Sequence, residues 1–572
     1  MADEVEMFFF PSVGGDDQIP MIDIACLFAS HGVKSTIVAT PNKALSFQRS
    51  IARNQDSGRP ISIHPLDLPP GSELPDADMS ASPFTDTCML QESLKLLLIA
   101  RRPDCIVVDT FHGWSADVID EVGFPRIVFI GNGCFSRCAQ EPESMVESEY
   151  DPFELPGRPK EIKMTRSQLC IFTSVQEAGK PPGGMWTSED RSLGFLVNSF
   201  LDLEPACAEY FKKEMVKKAW VVGPVSLRIA EDMGERGQRA AIDEQSCLNW
   251  LNAKEPNSVL YVSFGSLARL TPEQLLKIAY GLEASSCSFI WAAGKILESS
   301  ENGEGGREDW LPSGFEERLK ESERGLIIRG WVPQLLILEH PSVGGYMTLC
   351  DWNSILEGVS AGVPMATLPR SAEQLLNGKL VVDVLKIGVQ ADSMEWTSWN
   401  TEPGPAVDPE KVEAAVRKLM DGGEEAAEMR RRAEDLGGKA RKAVGEGGSS
   451  YGDVEALIQE LKNRKNVRDC TAQMYNRPAA SNPFSGLNHR HSRFTHIHAG
   501  KSPPFTLPTS STGCAAAGAA FEHSGATSAR GSRLTSYPSP SPPLSGVSPP
   551  PTYRPIRAAA VNLPPGSLHF QQ

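Results

Sequence analysis

Residues 331–374 read WVPQLLILEHPSVGGYMTLCDWNSILEGVSAGVPMATLPRSAEQ, and this stretch decides the fold. Its apolar run Val343–Cys350 has the length of a buried strand, and the apolar spacing of Ile355–Ala361 is that of a helix. The pair Asn353–Ser354 stands at the start of that helix, where backbone N–H groups and the helix dipole commonly bind anions. The stretch therefore predicts a strand that leads into a helix, with an anion site at the junction. Asp351 adds a carboxylate to that junction.

The alternation of strands and helices continues on both sides of this stretch. The helical patterns are IPMIDIACLFASHG (residues 19–32, ended by Gly32), the segment after Thr271–Pro272, Pro409–Met420, Glu424–Val444 and Val454–Leu461. The strand patterns are VEMFFF (5–10), KSTIVAT (34–40), CIVVDT (105–110), RIVFIG (126–131), SVLYVSFGS (258–266), SFIWAA (288–293), GLIIRGW (325–331) and VPMATLP (363–369). β-Branched runs separated by helices are typical of parallel sheets covered by helices. We therefore predict two α/β domains in series, with a cleft between them as the ligand site.

Changes in composition indicate where the domains end. The polar segment RIAEDMGERGQRAA (228–241) is a candidate linker, so we predict an N-terminal domain over residues 1–240 and a second domain over 241–465. From residue 466 the chain loses its periodicity and becomes rich in proline and serine, for example in SYPSPSPPLSGVSPPPTYRP (536–555). Because such a composition does not build a core, we predict that 466–572 is a disordered tail. Six of the ten histidines lie in the tail at irregular spacing, which favours disorder over a metal site.

Composition excludes several classes of function. The net charge of −16 argues against a nucleic acid or an anionic membrane surface as partner. The 12 cysteines include no CxxC pair, which indicates a reducing compartment rather than a disulfide framework or a zinc site. The acidic start MADEVEMFFFPS is unlike a signal peptide, and no apolar run reaches the length of a membrane span. We expect a cytoplasmic protein without stable membrane insertion, acting as a monomer.

The stretch 331–374 resembles the signature box of plant UDP-sugar-dependent glycosyltransferases, an inverting family with the two-domain GT-B fold. Its Trp-x-Pro-Gln, Ile-Leu-x-His, Cys-x-Trp-Asn-Ser, Gly-Val-Pro and Glu-Gln elements have the spacing of that box. The resemblance extends from residue 5 to about 462, and segments such as PDCIVVDTFH and IVFIGNGCFSRC are similar to the branch that contains abscisate β-glucosyltransferases. It implies two Rossmann-like domains that face each other across a cleft, a UDP-sugar donor and no bound cofactor or metal.

The resemblance assigns the nucleoside part of the donor to residues near the start of the box. Trp331 would stack on uracil, and the backbone of Val332 would contact the same ring. Gln334 and Glu357 would hydrogen-bond the ribose, because a carboxylate can accept from both hydroxyls. His340 is expected to have a structural role instead.

The diphosphate and the sugar are assigned to the helix start and to the end of the box. Asn353, Ser354 and Ser266 would bind the diphosphate, and position 349 belongs to the same site. Trp352 and the closing pair Glu373–Gln374 would contact the sugar, and a closing glutamine is associated with glucose. The implied donor is therefore UDP-glucose.

The junction departs from the family pattern at two positions. Where the family has His-Cys-Gly-Trp, this chain has Leu349, Cys350, Asp351 and Trp352. Leu349 removes a donor to the diphosphate, and hydrogen bonds to charged groups contribute roughly 1.5–3 kcal/mol. Asp351 adds a negative charge, is placed to cap the helix itself, and would be strained if the family glycine has a positive φ. Both changes are expected to weaken binding of the UDP-sugar.

The loop after the first strand departs as well. The family has Gly-His before x-Ile-Pro, with the histidine as general base, whereas this chain has Asp16 and Asp17. Asp109 matches the aspartate that orients this histidine, so the orienting half of the dyad survives. Removal of a general base typically lowers the rate by about 10²–10⁴, and His112 is no obvious replacement. Asp17 and Asp109 remain the candidate catalytic residues.

Three functions follow from this pattern. The first is inverting transfer of a sugar, preferably glucose, from a UDP-sugar to a small acceptor such as abscisic acid, a phenolic or a terpenoid. A carboxylic acid acceptor is already ionised at neutral pH and therefore needs no base, although Asp17 would repel it. The second is a catalytically impaired pseudo-enzyme that retains the fold. The third is a scaffold that acts through its proline-rich tail.

Overall fold

A computed structural model describes the chain over residues 4–15, 17–71, 85–138, 188–228, 240–242, 244–265, 270–293, 310–370, 373–392 and 406–475, together with the backbone of two short strands near residues 153 and 163. Asp16, Ser266, most of the segment 228–241 and the predicted tail beyond residue 475 lie outside these residues. The predictions made for them stay predictions.

The described residues form two sheets of parallel strands and one short antiparallel pair. In chain order the strands are β1 (Glu6–Phe10), β2 (Lys34–Ala39), β3 (Ile61–Pro65), β4 (Cys105–Asp109), β5 (Arg126–Ile130), β6 (Phe153–Glu154), β7 (Lys163–Met164), β8 (Gly194–Val197), β9 (Ala219–Val221), β10 (Val259–Ser263), β11 (Ser288–Ala292), β12 (Gly325–Ile328), β13 (Val343–Thr348), β14 (Met365–Thr367) and β15 (Gly388–Gln390). The first sheet has the order β3-β2-β1-β4-β5-β8-β9, and the second has the order β12-β11-β10-β13-β14-β15. The prediction of two domains with parallel sheets is confirmed.

Helices connect the strands, as the alternation in the sequence predicts. They are α1 (Gln18–Ser30), α2 (Pro41–Asp56), α3 (Gln91–Arg101), α4 (Ser115–Val122), α5 (Cys134–Cys138), α6 (Pro205–Tyr210), α7 (Glu244–Asn252), α8 (Pro272–Ser285), α9 (Phe315–Ser322), α10 (Gln334–Leu338), α11 (Trp352–Ala361), α12 (Gln374–Lys379), α13 (Pro409–Met420), α14 (Glu424–Val444) and α15 (Ser449–Tyr475). α8 begins with a complete capping box between Thr271 and Gln274. No helix among the described segments is long and apolar enough to cross a membrane.

The last helix returns to the first domain. The apolar side of α15 (Val454, Leu457, Ile458 and Leu461) is buried in the same cluster as β1 and α1. Farther along α15, Lys465 and Arg468 pair with the buried Asp104 at 2.9 and 2.6 Å. α15 is therefore longer than the predicted helix Val454–Leu461, and it continues past residue 465, where the tail was predicted to begin.

The order of the strands determines where each domain can bind a ligand. In the first sheet β1 lies between β2 and β4, and in the second β10 lies between β11 and β13, so the connections turn in opposite directions at these points. In open α/β sheets ligands bind beyond the carboxyl ends of the strands at such switch points. The loop from Pro11 to Asp17 and the end of β4 form the first point. The loop after β10 and the residues Leu349–Asp351 form the second.

Candidate functional site

Asp17 lies at the first switch point, in the loop between β1 and α1. It occupies the N-cap position of α1 with φ −63°, and its side chain makes no capping hydrogen bond there. The carboxylate instead lies against Gly131, directly after β5, where a Cβ atom would collide with it. Since β5 pairs with β4 through Phe129 and Asp109, the Asp17 carboxylate lies beside the end of the strand that carries Asp109. The structure thus places both predicted catalytic residues at one switch point.

Asp109 ends β4 and is only 2% exposed. Its Oδ1 accepts a hydrogen bond from the backbone N–H of Phe111 at 3.0 Å, whereas Oδ2 is buried without a hydrogen-bond partner among the described residues. Burial raises the pKa of the carboxyl from 3.8 to about 7, and the backbone N–H groups of Phe111 and Ser12 oppose this rise. Asp109 is therefore a buried carboxyl that ionises less readily than an exposed aspartate.

His112 follows Asp109 closely but is not available as a base. One ring nitrogen is 2.9 Å from the Thr87 hydroxyl, the other is 2.9 Å from the Pro11 carbonyl oxygen, and the ring stacks on Phe10. Burial lowers the pKa of the imidazole to about 4. Because both nitrogens are occupied, His112 holds the β1 and β4 loops together and does not replace a catalytic histidine.

The second switch point has the predicted strand, turn and helix. β13 ends at Thr348, and α11 begins at Trp352, with Asn353 half-buried and Ser354 buried in its first turn. Cys350 adopts the left-handed backbone conformation, with φ +71°, whereas Asp351 has φ −56°. The expectation of a strained backbone at Asp351 is wrong, because aspartate adopts a negative φ without cost.

The Asp351 side chain does not cap α11, which corrects the second expectation for this residue. Its Oδ1 accepts a hydrogen bond from Gln374 Nε2 at 2.8 Å. Its Oδ2 lies 2.9 Å from the place where a Cβ atom of Gly265 would stand, and Gly265 has φ +76° in the loop after β10. The Asp351 carboxylate therefore lies between Gln374 and Gly265 of the β10 loop, at the second switch point.

Leu349 does not point toward this opening. Its side chain is 2% exposed and belongs to an apolar cluster with Phe264, Met347 and Leu368. Side chains alternate along an extended chain, so Leu349 lies on the same side as Met347, two residues earlier. The position offers no hydrogen-bond donor, as the sequence predicts.

The residues assigned to the nucleoside lie together at the start of α10. Gln334 Nε2 donates to Glu357 Oε2 at 2.7 Å, and its Oε1 accepts from the Tyr261 hydroxyl at 2.9 Å. Glu357 is 6% exposed and lies on α11, one turn beyond Asn353–Ser354. Trp331 is half-buried and is not part of an apolar cluster, and its backbone oxygen accepts from Ala241 N at 2.7 Å.

Val332 is buried beside this group, with 7% of its surface exposed. The ring nitrogens of His340 are 2.9 Å from the Ser342 hydroxyl and 3.2 Å from Asn252 Oδ1. A structural role of His340 stays a prediction, and these two contacts agree with it.

Trp352 connects the two domains. Its indole Nε1 donates to the backbone oxygen of Asn198 at 2.8 Å, and its ring lies 2.5 Å from the place of a Cβ atom at Gly133. The side chain is 2% exposed. This contact with the first domain was not foreseen, because nothing local in the sequence links positions so far apart. A role of Trp352 toward the sugar stays a prediction.

The end of the box forms the start of α12. Glu373 is half-buried at its N-cap position, and Gln374 is 5% exposed. Gln374 Oε1 accepts from the backbone N–H of Arg370 at 2.9 Å, while Nε2 is held by Asp351. Both polar atoms of the glutamine are therefore engaged within the protein.

A carboxylate that sequence reasoning missed supports the first domain. Glu204 accepts from the backbone N–H groups of Cys134 and Phe135, at 2.9 and 2.6 Å, and from the Ser199 hydroxyl at 2.6 Å. It thereby caps α5, which begins directly after Gly133.

Among the described residues no group of three His, Cys, Asp or Glu side chains could hold a metal ion.

Comparisons with known proteins agree on one family. The family model of "UDP-glucoronosyl and UDP-glucosyl transferase" matches residues 204–402. The chain is 57% identical over 470 residues to abscisate beta-glucosyltransferase of Phaseolus angularis, covering 80% of this chain and 97% of that protein. It is 40% identical over 480 residues to scopoletin glucosyltransferase of Nicotiana tabacum, covering 80% and 98%.

Solved structures show the same architecture. UGT73P12 of Glycyrrhiza uralensis, solved with glycyrrhetinic acid 3-O-monoglucuronide, superposes with a TM-score of 0.73 at 39% identity, covering 82% of this chain and 98% of that one. UGT71G1 of Medicago truncatula, solved with UDP-glucose, shares the fold with a TM-score of 0.65 at 24% identity. The two sheets, their switch points and these relatives together show that the chain belongs to the UDP-glycosyltransferase family, with the GT-B fold.

Proposed function

We propose that the chain transfers glucose from UDP-glucose to the carboxylate of a small organic acid such as abscisic acid, with inversion at the anomeric carbon. The acceptor oxygen would attack C1 in a single displacement, and UDP would leave with the electrons of the bond that breaks. The identity of 57% with abscisate beta-glucosyltransferase supports the acceptor class. The neighbour solved with UDP-glucose supports the donor.

The observation that carries the acceptor class is the absence of an imidazole at the first switch point, within the described residues. Asp17 stands at the base position, and His112, the histidine nearest in sequence to Asp109, has both nitrogens occupied. A hydroxyl acceptor must lose its proton during attack, whereas a carboxylic acid with a pKa near about 4 has already lost it at neutral pH. The site therefore suits an acceptor that needs no base.

The donor would lie across the second switch point. We propose that Trp331 stacks on uracil beside the backbone of Val332, and that Gln334 and Glu357 bind the ribose. Tyr261 keeps the Gln334 amide in one orientation, so that the pair is arranged before the ligand arrives.

The remaining parts of the donor would meet the start of α11. Asn353 and Ser354 would bind the diphosphate through their side chains and N–H groups, with Ser266 as a further donor. Trp352, Glu373 and Gln374 would contact the glucose. No metal is required by this arrangement.

A second function is supported by the Asp351–Gln374 hydrogen bond and by the burial of Leu349. Asp351 would place a carboxylate where the diphosphate would lie, and Leu349 offers an apolar side chain in place of a hydrogen-bond donor. We propose as the alternative a protein that binds acceptors but turns over UDP-glucose slowly or not at all. In either case we infer a monomer in the cytoplasm with small-molecule partners only.

Transfer of radiolabelled glucose distinguishes the two functions. UDP-glucose is offered with abscisic acid or with scopoletin, to the parent chain and to the triple variant Asp17→His, Leu349→His, Asp351→Gly. We expect the parent to glucosylate abscisic acid at a rate within about tenfold of that of the variant. With scopoletin we expect the parent to be at least about 100-fold slower than the variant. A parent that transfers to neither acid nor phenol, while the variant transfers to both, would establish the alternative.

A further inference from the structure

A three-residue loop lies between the two switch points. It follows β5 and consists of Gly131, Asn132 and Gly133. On one side the Asp17 carboxylate lies against Gly131. On the other side the Trp352 ring lies against Gly133, and neither glycine has room for a Cβ atom. The loop therefore contacts both the residue at the base position of the first domain and the first residue of α11 in the second domain.

Trp352 is held by the first domain through its nitrogen as well as through its ring. The indole Nε1 donates to the backbone oxygen of Asn198, directly after β8, at 2.8 Å. Asn198 is 4% exposed, and its Oδ1 accepts from the backbone N–H of Val225 at 3.1 Å. Since β5 and β8 are neighbouring strands, the indole contacts the carboxyl ends of two adjacent strands of the first sheet.

One carboxylate joins the two segments of the first domain that Trp352 contacts. Glu204 is buried and caps the N-terminus of α5, directly after Gly133. It also accepts a hydrogen bond of 2.6 Å from the hydroxyl of Ser199, which directly follows the carbonyl that binds the indole. Hydrogen bonds to a charged group are about twice as strong as neutral ones. The two segments are therefore fixed relative to each other.

The second domain fixes the backbone on the other side of the contact. In the turn before Trp352, the backbone oxygen of Cys350 accepts from Asn377 Nδ2 at 2.9 Å, and its N–H donates to the Thr348 hydroxyl at 3.1 Å. Trp352 thus joins two well-held parts of the protein, and its side chain determines how the start of α11 faces the first domain.

Two other tryptophans show what packing alone looks like. Trp291 and Trp310 are buried within the second domain and pack edge to face, with ring centroids 5.4 Å apart. Over the part of the chain that the structure describes, the Nε1 atoms of both lack a hydrogen-bond partner. Trp352 differs from them because its N–H is bonded, and because the acceptor of that bond belongs to the other domain.

We propose that Trp352 is a positioning residue, whose indole holds the start of α11 at a fixed place relative to the loop 131–133. The donor diphosphate beside Asn353–Ser354 and the acceptor beside Asp17 then meet at a distance that allows attack. This catalytic consequence rests on the proposed function, whereas the contact between the domains does not.

The signature of such a role is a loss of kcat without a loss of donor affinity. The proposed UDP site lies within the second domain, so UDP binding does not need the indole contact. Transfer does need it, because the acceptor is held by the first domain, and a displacement of about 1 Å can lower a rate by about 10²-fold.

The test compares two tryptophan variants of the full chain. Trp352→Phe removes the N–H and the outer edge of the ring, and so breaks both contacts with the first domain. The kcat for glucose transfer to abscisic acid should fall by about 10- to 100-fold, while the UDP dissociation constant from calorimetry changes by less than about twofold. Trp310→Phe makes the same change inside the second domain and should leave both quantities as in the parent. Thermal unfolding of both variants measures the loss of packing.

Glu204→Gln tests the same contact from the first domain. An amide has a single acceptor oxygen, so one of the three groups that donate to Glu204 would face an NH2 group instead. The kcat should again fall with UDP affinity retained. Because both changes act through one contact, the double variant with Trp352→Phe should be little slower than the slower single variant.

Hydrogen exchange supplies a readout that needs no activity. Mass spectrometry should show faster exchange of residues 131–138 and 197–204 in Trp352→Phe than in the parent, and no change in Trp310→Phe. Equal exchange of these segments in all three proteins would refute the contact. The positioning role is overturned if Trp352→Phe keeps the kcat of Trp310→Phe, or if it loses kcat and UDP affinity by the same factor. If the parent transfers glucose to no acceptor while exchange changes as expected, the proposed function fails and the contact between the domains stands.

Discussion

Removing the charge of Asp351 should restore affinity for the donor. Asp351→Asn keeps the size of the side chain, and its amide oxygen can still accept from Gln374 Nε2, now at 2.8 Å from Oδ1. The variant therefore changes charge without releasing the glutamine. Because Asp351 has φ −56°, asparagine introduces no backbone strain.

The size of the effect follows from Coulomb's law. Two unit charges about 4 Å apart interact by about 1 kcal/mol in water and by about 4 kcal/mol at an effective dielectric constant of 20. Asp351 is half-buried, so the repulsion of a diphosphate lies between these limits. The dissociation constant of UDP should fall by roughly fivefold to several hundredfold, since about 1.4 kcal/mol is a factor of ten.

Isothermal titration calorimetry with UDP measures this change at low and at high salt. The gain should shrink at about 1 M salt, where the screening length is only about 3 Å. Asp435→Asn, which removes an exposed carboxylate paired with Lys439 on α14, should leave UDP affinity unchanged. If Asp351→Asn binds UDP no more tightly than the parent at low salt, the carboxylate does not oppose the diphosphate and our reasoning about the second switch point fails.

Three further predictions concern other parts of the site. Asp109→Asn should raise the free energy of unfolding above pH 7. Burial raises the pKa of the parent carboxyl from 3.8 to about 7. The parent therefore loses up to about 4 kcal/mol of stability as the pH rises through that range, and the asparagine variant does not. Urea unfolding of both proteins at pH 4 and pH 8 should show the difference only at pH 8. Glu357→Gln should weaken UDP binding by about ten- to a hundredfold, and should bind 2′,3′-dideoxy-UDP as the parent does. Gly133→Ala should lower stability by about 1–3 kcal/mol, because its Cβ would stand 2.5 Å from the Trp352 ring. Gly438→Ala, with open space around its Cβ inside α14, should instead gain about 0.5–1 kcal/mol.

The fold was predictable because its signals are local. α13 and α14 have the predicted bounds, Pro409–Met420 and Glu424–Val444, since each carries an apolar stripe and a recognisable end. α15 was predicted too short because apolar spacing stops near Leu461. Beyond that point the helix forms ion pairs with Asp104, more than 360 residues earlier in the chain. The apolar periodicity of a sequence does not reveal such distant partners.

The structure brings together some residues that the sequence assigns to one ligand group, but the sequence did not predict their contacts. Gln334 and Glu357 were assigned to one ligand group, and the structure joins them by a hydrogen bond of 2.7 Å. The same reasoning could not show that Asp351 would bond Gln374, because the choice between capping α11 and reaching α12 depends on how two helices meet. Burial of the Asp109 carboxyl likewise depends on both flanking loops, so its raised pKa is a property of the fold rather than of the motif.

Asp17, Leu349 and Asp351, which depart from the family pattern, differ in how far they are packed into the core. Asp17 and Asp351 are half-buried and have negative φ angles, so histidine or glycine there leaves the apolar core intact, and Asp351→Gly gives up the hydrogen bond to Gln374. Leu349 is different, because it is packed with Met347 and Leu368 in the core. An imidazole at that position leaves an apolar gap if it turns outward, and buries unpaired nitrogens if it does not. Asp17→His and Asp351→Gly should therefore improve transfer to hydroxyl acceptors at little cost in stability, whereas Leu349→His requires its neighbours to repack. The backbone at both switch points accommodates Asp17, Leu349 and Asp351, and this explains how the family fold persists with these side chains.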